Sequence, residues 1–565
     1  MYRSRTAAVL AFLLMWIVTA SAARPGGFHA WFVDSLIKVF PGDPVGSHRL
    51  AAAEFSVARN QHLSIQVAVR SAKPLGDVTA EVTLLRGTKG ESITGAYARV
   101  VGYVVVGSNT KDTPADELIG EAPGWYPDPL WNFPVRFDRN RTYSVWITVA
   151  VPDDAAPGLY RGSLMLRAGA RMLTGLEFRV RVYDARTPRQ RTLKITNWFN
   201  LSEAASRQFY GVSQFSEEWW TLVENIGKVM ADHRQNMVIT PLLDLIQARV
   251  EDNRIAYDFS NFDRWVETFR RAGVVGYIEG SHLLDRAGSY DAALTVHTYQ
   301  MESGKAVRLT LPPDDPRVEA FLIGFLSALN THLEQRGWKS IYFQHILDEP
   351  HGPEPPYYAR FAELMHRSLP AIPTMDAMDA ANMPEELQKN CDVWVPQLGR
   401  FDGQMNMIKS RIQSGREVWF YTCLFPNKRY LNRLIDYPLL KVRLLHWFNF
   451  RFDFAGYLHW GWNYWTPEPV NDTQLVIDAN TELLPPGDAF IVYPDRANRS
   501  VFSSIRLEAM REGIEDYELL RALKQKDSEE AERLSQAAIS SITEYVRNPA
   551  EFRRIERALL EHLSK

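Results

Sequence analysis

Residues 339–352 read Lys-Ser-Ile-Tyr-Phe-Gln-His-Ile-Leu-Asp-Glu-Pro-His-Gly, an apolar, β-branched and aromatic run that stops at two adjacent carboxylates and a proline. A run of that kind suits a strand buried on both faces, and such strands belong to parallel sheets covered by helices. Asp348 and Glu349 stand where the strand stops. In a parallel α/β barrel that end is the mouth, where side chains from several strands converge. Neighbouring strand residues point to opposite faces, so both acids serve one pocket only if the chain bends there. Pro350 favours the bend, because it removes a backbone donor and restricts the residue before it. Two readings stay open on these residues alone. Either the pair divides into a protonated general acid and an ionised partner, or Asp348 caps a helix and Glu349 precedes a proline in its first turn.

The flanking segments predict three domains. From 28 to 187, Leu63, Ile65, Val67 and Val69 alternate with polar residues, as do Val145 to Val151 and Leu176 to Val182. Period two broken by turn residues predicts half-exposed antiparallel sheets and hence a β-sandwich. The insert Gly124-Trp-Tyr-Pro-Asp-Pro-Leu-Trp131 is too aromatic for a linker and is expected to dock on the next domain or reach its mouth. From 190 to 485, strand candidates at 192–198, 236–244, 274–280, 341–348, 374–378, 392–397, 417–423 and 456–462 alternate with helical patterns. Eight such units predict a TIM (β/α)8 barrel with the acid pair on the fourth strand. From 486 to 565 a strand at 489–493 and helices at 503–524, 528–547 and 550–563 are expected. There Leu507, Met510, Ile514, Tyr517 and Leu520 form a face that packs on the barrel, and the charges of 511–516 read as a solvated face.

Composition narrows the chemistry. Arg3 and Arg5 precede an apolar run from Ala7 to Ala20 with small residues after it, so residues 1–23 read as a secretory signal peptide. That predicts a secreted or periplasmic protein with no later membrane span. With 64 basic and 67 acidic residues mixed along the chain, nothing favours nucleic acid or an anionic membrane as partner. The two cysteines, Cys391 and Cys423, fall inside expected strands and read as buried free thiols. Sixteen tryptophans and 23 tyrosines lean towards a carbohydrate ligand, since flat aromatic faces suit sugar rings, although aromatics also serve packing.

Residues 456–465, Gly-Tyr-Leu-His-Trp-Gly-Trp-Asn-Tyr-Trp, are the second unusual stretch. Trp460 and Trp462 share one strand face and His459 and Asn463 the other; one tryptophan is expected to stack on a sugar and one to pack. Trp198, His282, His345, Asp376, Gln397 and Tyr421 stand at other strand ends, where sugar hydroxyls need partners. Each is weak alone, and His345 reads equally well as a core histidine. No His-Glu-x-x-His, Cys-x-x-Cys, Gly-x-Ser-x-Gly or phosphate loop is present, so no metal or cofactor is called for.

Gln-His-Ile-Leu-Asp-Glu-Pro at 344–350, Trp-Phe-Tyr-Thr-Cys at 419–423, Asn-Arg-Leu-Ile-Asp-Tyr-Pro at 432–438, the 456–463 stretch and Ser-Ile-Arg-Leu-Glu-Ala-Met-Arg-Glu-Gly-Ile-Glu-Asp-Tyr-Glu at 504–518 together resemble the catalytic domain of glycoside hydrolase family 123. The sandwich is similar to that family's N-terminal domain. The resemblance implies a retaining enzyme that releases β-linked N-acetylhexosamine, N-acetylgalactosamine before others. The sugar's own acetamido oxygen then acts as nucleophile, through an oxazolinium. It implies that Asp348 orients the acetamido group and that Glu349 is general acid and base. It also implies a tyrosine on the acetamido carbonyl, with Tyr421 the first candidate and Tyr464 the second. The competing expectations are a glycosidase of other specificity on the same barrel and a non-catalytic carbohydrate-binding protein.

Overall fold

The computed structural model describes residues 27–274, 276–379, 383–476 and 483–565; the expected signal peptide lies outside them. It is a mixed α/β protein with a sheet-rich N-terminal domain. One antiparallel sheet runs in the order Phe28–Val33, His62–Ser71, Thr142–Ala150, Ala96–Val106, Gly124–Trp131. The second runs Glu54–Arg59, Arg171–Arg186, Gly158–Ala168, Gly76–Val82, Val135–Phe137. Ile65, Val67, Val145 and Ile147 of the first meet Leu164, Leu166, Phe178 and Val180 in one core.

The first sheet is not half-exposed, as its alternation predicted. Gln66, Ser144, Trp146 and Thr148 on its other face are buried as well. Helix Ile505–Lys526 lies across it, and Glu512 and Glu515 accept the backbone N–H groups of Ser64 at 2.8 Å and His62 at 3.0 Å. The polar residues of those strands face a helix that is itself charged. For the same reason 511–516 is not a solvated face: Arg511, Glu512, Glu515 and Asp516 are buried, with Arg443 paired to Glu512, Asp516 and Glu556. Buried charges persist only where each has a partner, and here each carboxylate has one.

The aromatic insert is a sheet strand, Gly124–Trp131, that docks on the C-terminal segment. Trp131 stands edge-on to Phe502 and Tyr493, and the Leu130 N–H bonds the Ser503 carbonyl at 2.9 Å.

In the middle of the chain, helices alternate with short parallel strands. Lys194–Asn197 pairs with Gly456–His459, which pairs with Phe420–Tyr421; Met237–Thr240 pairs with Tyr277–Gly280, which pairs with Tyr342–Gln344; Met375–Met378 pairs with Val393–Pro396. Single parallel bridges, Gln344 to Thr374 and Trp394 to Val418, carry the pairing between these sheets. Asn236 ties the first two strands, its Oδ1 accepting the Ile195 N–H at 2.9 Å. Cys391 and Cys423 flank strands and are buried free thiols.

Two antiparallel additions escaped the sequence reading: the hairpin Gln247–Glu251 with Arg254–Asp258, and the three-stranded piece Asp285–Arg286, Leu294–Glu302, Lys305–Leu311. Ser303 and Gly304, both with positive φ, turn the second one, so a Ser-Gly between two alternating runs was its signal. In the C-terminal segment, Tyr493–Asp495 pairs with Ser500–Phe502, and helix Ser528–Ala538 stops before the expected 547. Ile539, Ser540, Ser541, Ile542 and Thr543 are poor helix formers in succession, and the chain turns there. Among the described residues no helix is long and apolar enough to cross a membrane.

Candidate active site

Strand Tyr342–Gln344 is short, but its extended course continues: the Gln344 N–H bonds Pro373 at 3.0 Å and the His345 N–H bonds Gly280 at 3.3 Å. The bend falls on Glu349, whose φ of 43° is left-handed while its N–H bonds the Ala377 carbonyl at 3.2 Å. A glutamate is sterically strained in that region, and the regular extended course of the strand stops there.

The two half-buried carboxyl groups have different neighbours. Asp348 lies on the wall of a cavity of about 570 Å³ together with Trp198, His282, Arg286 and Tyr464. Glu349 is not on that wall. Its carboxylate accepts the Tyr421 hydroxyl, and the Tyr290 ring is held nearby by Arg286, which lies over that ring and donates to the Glu349 carbonyl. Burial holds both acids above the ordinary carboxylate range. After burial, the charge of Glu349 raises Asp348 further, while Arg286 and His345 oppose the rise. For Glu349 the Tyr421 hydrogen bond opposes burial, and the charge of Asp379 adds to it. Adjacent carboxyls of this kind titrate as a pair.

A buried relay supports the wall from beneath. His345 Nε2 lies 2.7 Å from Glu279 Oε1 and its Nδ1 3.0 Å from Asp376 Oδ1. Burial opposes a charged imidazole, but hydrogen bonds to Asp376 and Glu279 outweigh it, and His345 is pushed up to about 10. Glu279 also accepts Trp198 Nε1 at 2.6 Å and the Thr196 hydroxyl at 2.6 Å; Asp376 accepts the Tyr358 hydroxyl at 2.7 Å. His282, His345 and Asp376 bring ligand-type atoms within 4.8 Å of one another. Both nitrogens of His345 are already engaged by carboxylates, so the group is built as a hydrogen-bond relay.

The expected binding residues therefore divide. Trp198 and Tyr464 line the cavity, and Tyr421 reaches Glu349. Half-buried Trp460 packs 5.2 Å from Tyr464, with its Nε1 donated to Asp488 at 3.2 Å. Five others do not face the cavity. His345 and Asp376 have no exposure and all their polar side-chain atoms are used within the relay. Gln397 is buried and donates to Asp379 at 2.9 Å. Trp462 is buried against Phe199, and Asn463 clamps both backbone groups of Asn200, at 2.7 and 2.9 Å. The strand ends at His459, so the two-residue period does not extend to 460–463.

Four contributors were missed. Glu279 is the next-to-last residue of strand Tyr277–Gly280 and was legible as a carboxylate in a buried run. Asp379 follows Met375–Met378 and is gripped by Arg400 at 2.7 Å. Arg286 and Tyr290 lie on the added antiparallel piece and its turn, where no strand-end rule reaches. Arg286 clasps Glu354 at 2.9 and 2.6 Å and also donates to the Glu349 carbonyl at 3.2 Å.

Residues 198–523 match the family described as glycoside hydrolase 123, catalytic domain, and residues 46–168 match the glycoside hydrolase 123 N-terminal domain. The solved structure of a family 123 glycoside hydrolase from Clostridium perfringens, reported for glycolipid glycan hydrolysis, is similar with a TM-score of 0.73. It is 17% identical and the match covers 95% of this chain and 97% of that one. A family 5 xyloglucanase from Bacteroides ovatus (9% identical, TM-score 0.31, covering 82% and 98%) and a family 39 glycoside hydrolase from Bacteroides cellulosilyticus (8%, 0.36, 82% and 81%) are too distant in shape to carry an argument. No curated protein matches the sequence significantly.

Proposed function

The chain belongs to glycoside hydrolase family 123 and is a glycoside hydrolase, and from that premise we propose that it is secreted and releases a β-linked N-acetylhexosamine, N-acetylgalactosamine first, from a glycolipid glycan. The observation that carries this reading is the pair Asp348 and Glu349, two carboxyls at one strand end with separate neighbours and a shared elevation of their proton affinity. The eight parallel segments are read as one (β/α)8 barrel, a reading supported by the single bridges that join the three sheets.

With the sugar against Trp198, its acetamido N–H donates to Asp348. That hydrogen bond stabilises the aspartate anion and leaves the pair's shared proton on Glu349. The acetamido oxygen attacks the anomeric carbon, the bond to the leaving oxygen breaks, and Glu349 gives that oxygen its proton. Water then adds to the anomeric carbon and gives a proton to Glu349, while the oxazolinium ring opens to restore the acetamide. Configuration is retained after two inversions. The Tyr421 hydroxyl, expected on the acetamido carbonyl, donates to Glu349; in this reading it steadies the carboxylate between the two steps.

Hydrolysis of an aryl β-N-acetylgalactosaminide, with inhibition by a thiazoline analogue of the sugar, is the expected result. Glu349→Gln should lower kcat by ~10²–10⁴. Turnover unaffected by that change, or activity confined to sugars without a 2-acetamido group, refutes the reading.

A further inference from the structure

We propose that Tyr290, on the added antiparallel piece, forms the platform for the sugar that leaves, a further binding residue on the far side of the general acid; this rests on Glu349 being that acid. The argument is geometric. A general acid must touch the leaving oxygen, so the first leaving-group sugar lies within hydrogen-bond reach of the Glu349 carboxyl. Two tyrosines stand near that carboxyl: Tyr421 donates to it, and Tyr290 is tied to the acid motif through Arg286 and His351. Tyr421 is buried, with 3% exposure, and approaches from strand Phe420–Tyr421. Tyr290 approaches from the turn between Asp285–Arg286 and Leu294–Glu302 and keeps 46% of its surface open. The open ring is therefore that of Tyr290, and it is the one a sugar outside the cavity could cover.

Other contacts show a ring held in place. Its plane stacks on His351 at 4.3 Å and 6°, and the Arg286 guanidinium lies 5.0 Å from its centroid. Arg286 in turn bonds the Glu349 carbonyl and, at 3.2 Å, His351 Nδ1. The acid motif thus fixes, through its own backbone and the histidine two residues on, an aromatic ring that packing alone would not leave exposed. An apolar ring with a polar rim suits the face of a pyranose, and the cavity wall with Asp348 is left for the sugar that reacts.

The test compares two substrates in three proteins. The wild type, Tyr290→Ala and Tyr290→Phe are assayed on an aryl β-N-acetylgalactosaminide and on a disaccharide carrying the same sugar β-linked to galactose. Tyr290→Ala should lose about tenfold more in kcat/KM on the disaccharide than on the aryl glycoside, the excess appearing chiefly in KM. Tyr290→Phe should recover the disaccharide KM. Equal losses on both substrates, or none on either, overturn the proposal; an exposed side chain should not impair folding, which a melting curve checks. A wild type inactive on 2-acetamido sugars refutes the preceding reading instead. The same comparison is then run on whichever aryl glycoside it cleaves, or, if it cleaves none, as disaccharide binding by calorimetry, where equal affinity of wild type and Tyr290→Ala overturns the platform.

Discussion

His345 holds its Nε2 2.7 Å from the carboxylate of Glu279, and the same Glu279 oxygen accepts the indole N–H of Trp198 at 2.6 Å. One buried carboxylate therefore joins a charge beneath the site to a ring on its wall. Glu279→Gln leaves the imidazolium with one anionic partner and weakens the anchor of Trp198. A loss of about 3–5 kcal/mol in stability is expected, the range for breaking a buried ion pair. KM should rise in whatever folded protein remains, while Trp198→Phe, which spares the pair, should raise KM with little loss of stability. Denaturant titration and steady-state kinetics on both variants check this, and an unstable Trp198→Phe with normal KM would contradict it.

The same relay makes stability depend on pH. His345 takes its proton at about 10 in the folded protein, against 6.5 for the free side chain. The folded state thus binds one proton more between these values, and its stability falls as pH rises through them. Below 6.5 the contribution is complete; above 10 it is gone. Urea midpoints measured across that window should decline more steeply for the wild type than for His345→Gln. Parallel curves would show that the proton does not reside on the imidazole.

The place of Asp348 and Glu349 at the end of an extended run was legible because a proline follows them directly, and the strand positions were legible because runs buried on both faces are continuous in sequence. The supports were not. Gln397, Asn463 and Asp376 have the residue types of a sugar site, yet they are buried and bonded to Asp379, Asn200 and His345. Residue type at a strand end does not say whether the partner is a ligand or a neighbouring chain segment. The charge-rich run 511–516 misled for the converse reason: its partners, Arg443 and the backbone of 62–64, lie far away in the chain. Tyr290 gave no signal because an exposed tyrosine in a turn acquires meaning only once Glu349 is placed beside it.

Tyr421 offers a signed test of the acid. Its hydroxyl stabilises the Glu349 anion and so opposes the rise that burial causes. In Tyr421→Phe the glutamic acid should keep its proton to higher pH. A hydrogen bond to a charged group is worth about 1.5–3 kcal/mol, so the alkaline limb of kcat/KM should move up by about 1–2 pH units. A limb that moves down, or stays while kcat alone falls, would place the tyrosine on the substrate and not on the acid.

Asp128 tests the docking of the N-terminal domain apart from catalysis. It lies on strand Gly124–Trp131, is fully buried, and receives Arg506 through two hydrogen bonds of 2.8 Å plus the Tyr493 hydroxyl at 2.6 Å. Arg506 also caps the carbonyls of Arg433, Gly487 and Phe490, so it is fixed from both sides and cannot follow a lost partner into water. Asp128→Asn should cost about 3–5 kcal/mol, since it leaves a buried guanidinium without its anion. None of these residues lines the cavity, so kcat/KM per folded molecule should stay within about twofold of wild type. A variant of normal stability would mean that Arg506 is held by its carbonyls alone. A variant stable but inactive would mean instead that the sheet-rich domain shapes the catalytic mouth.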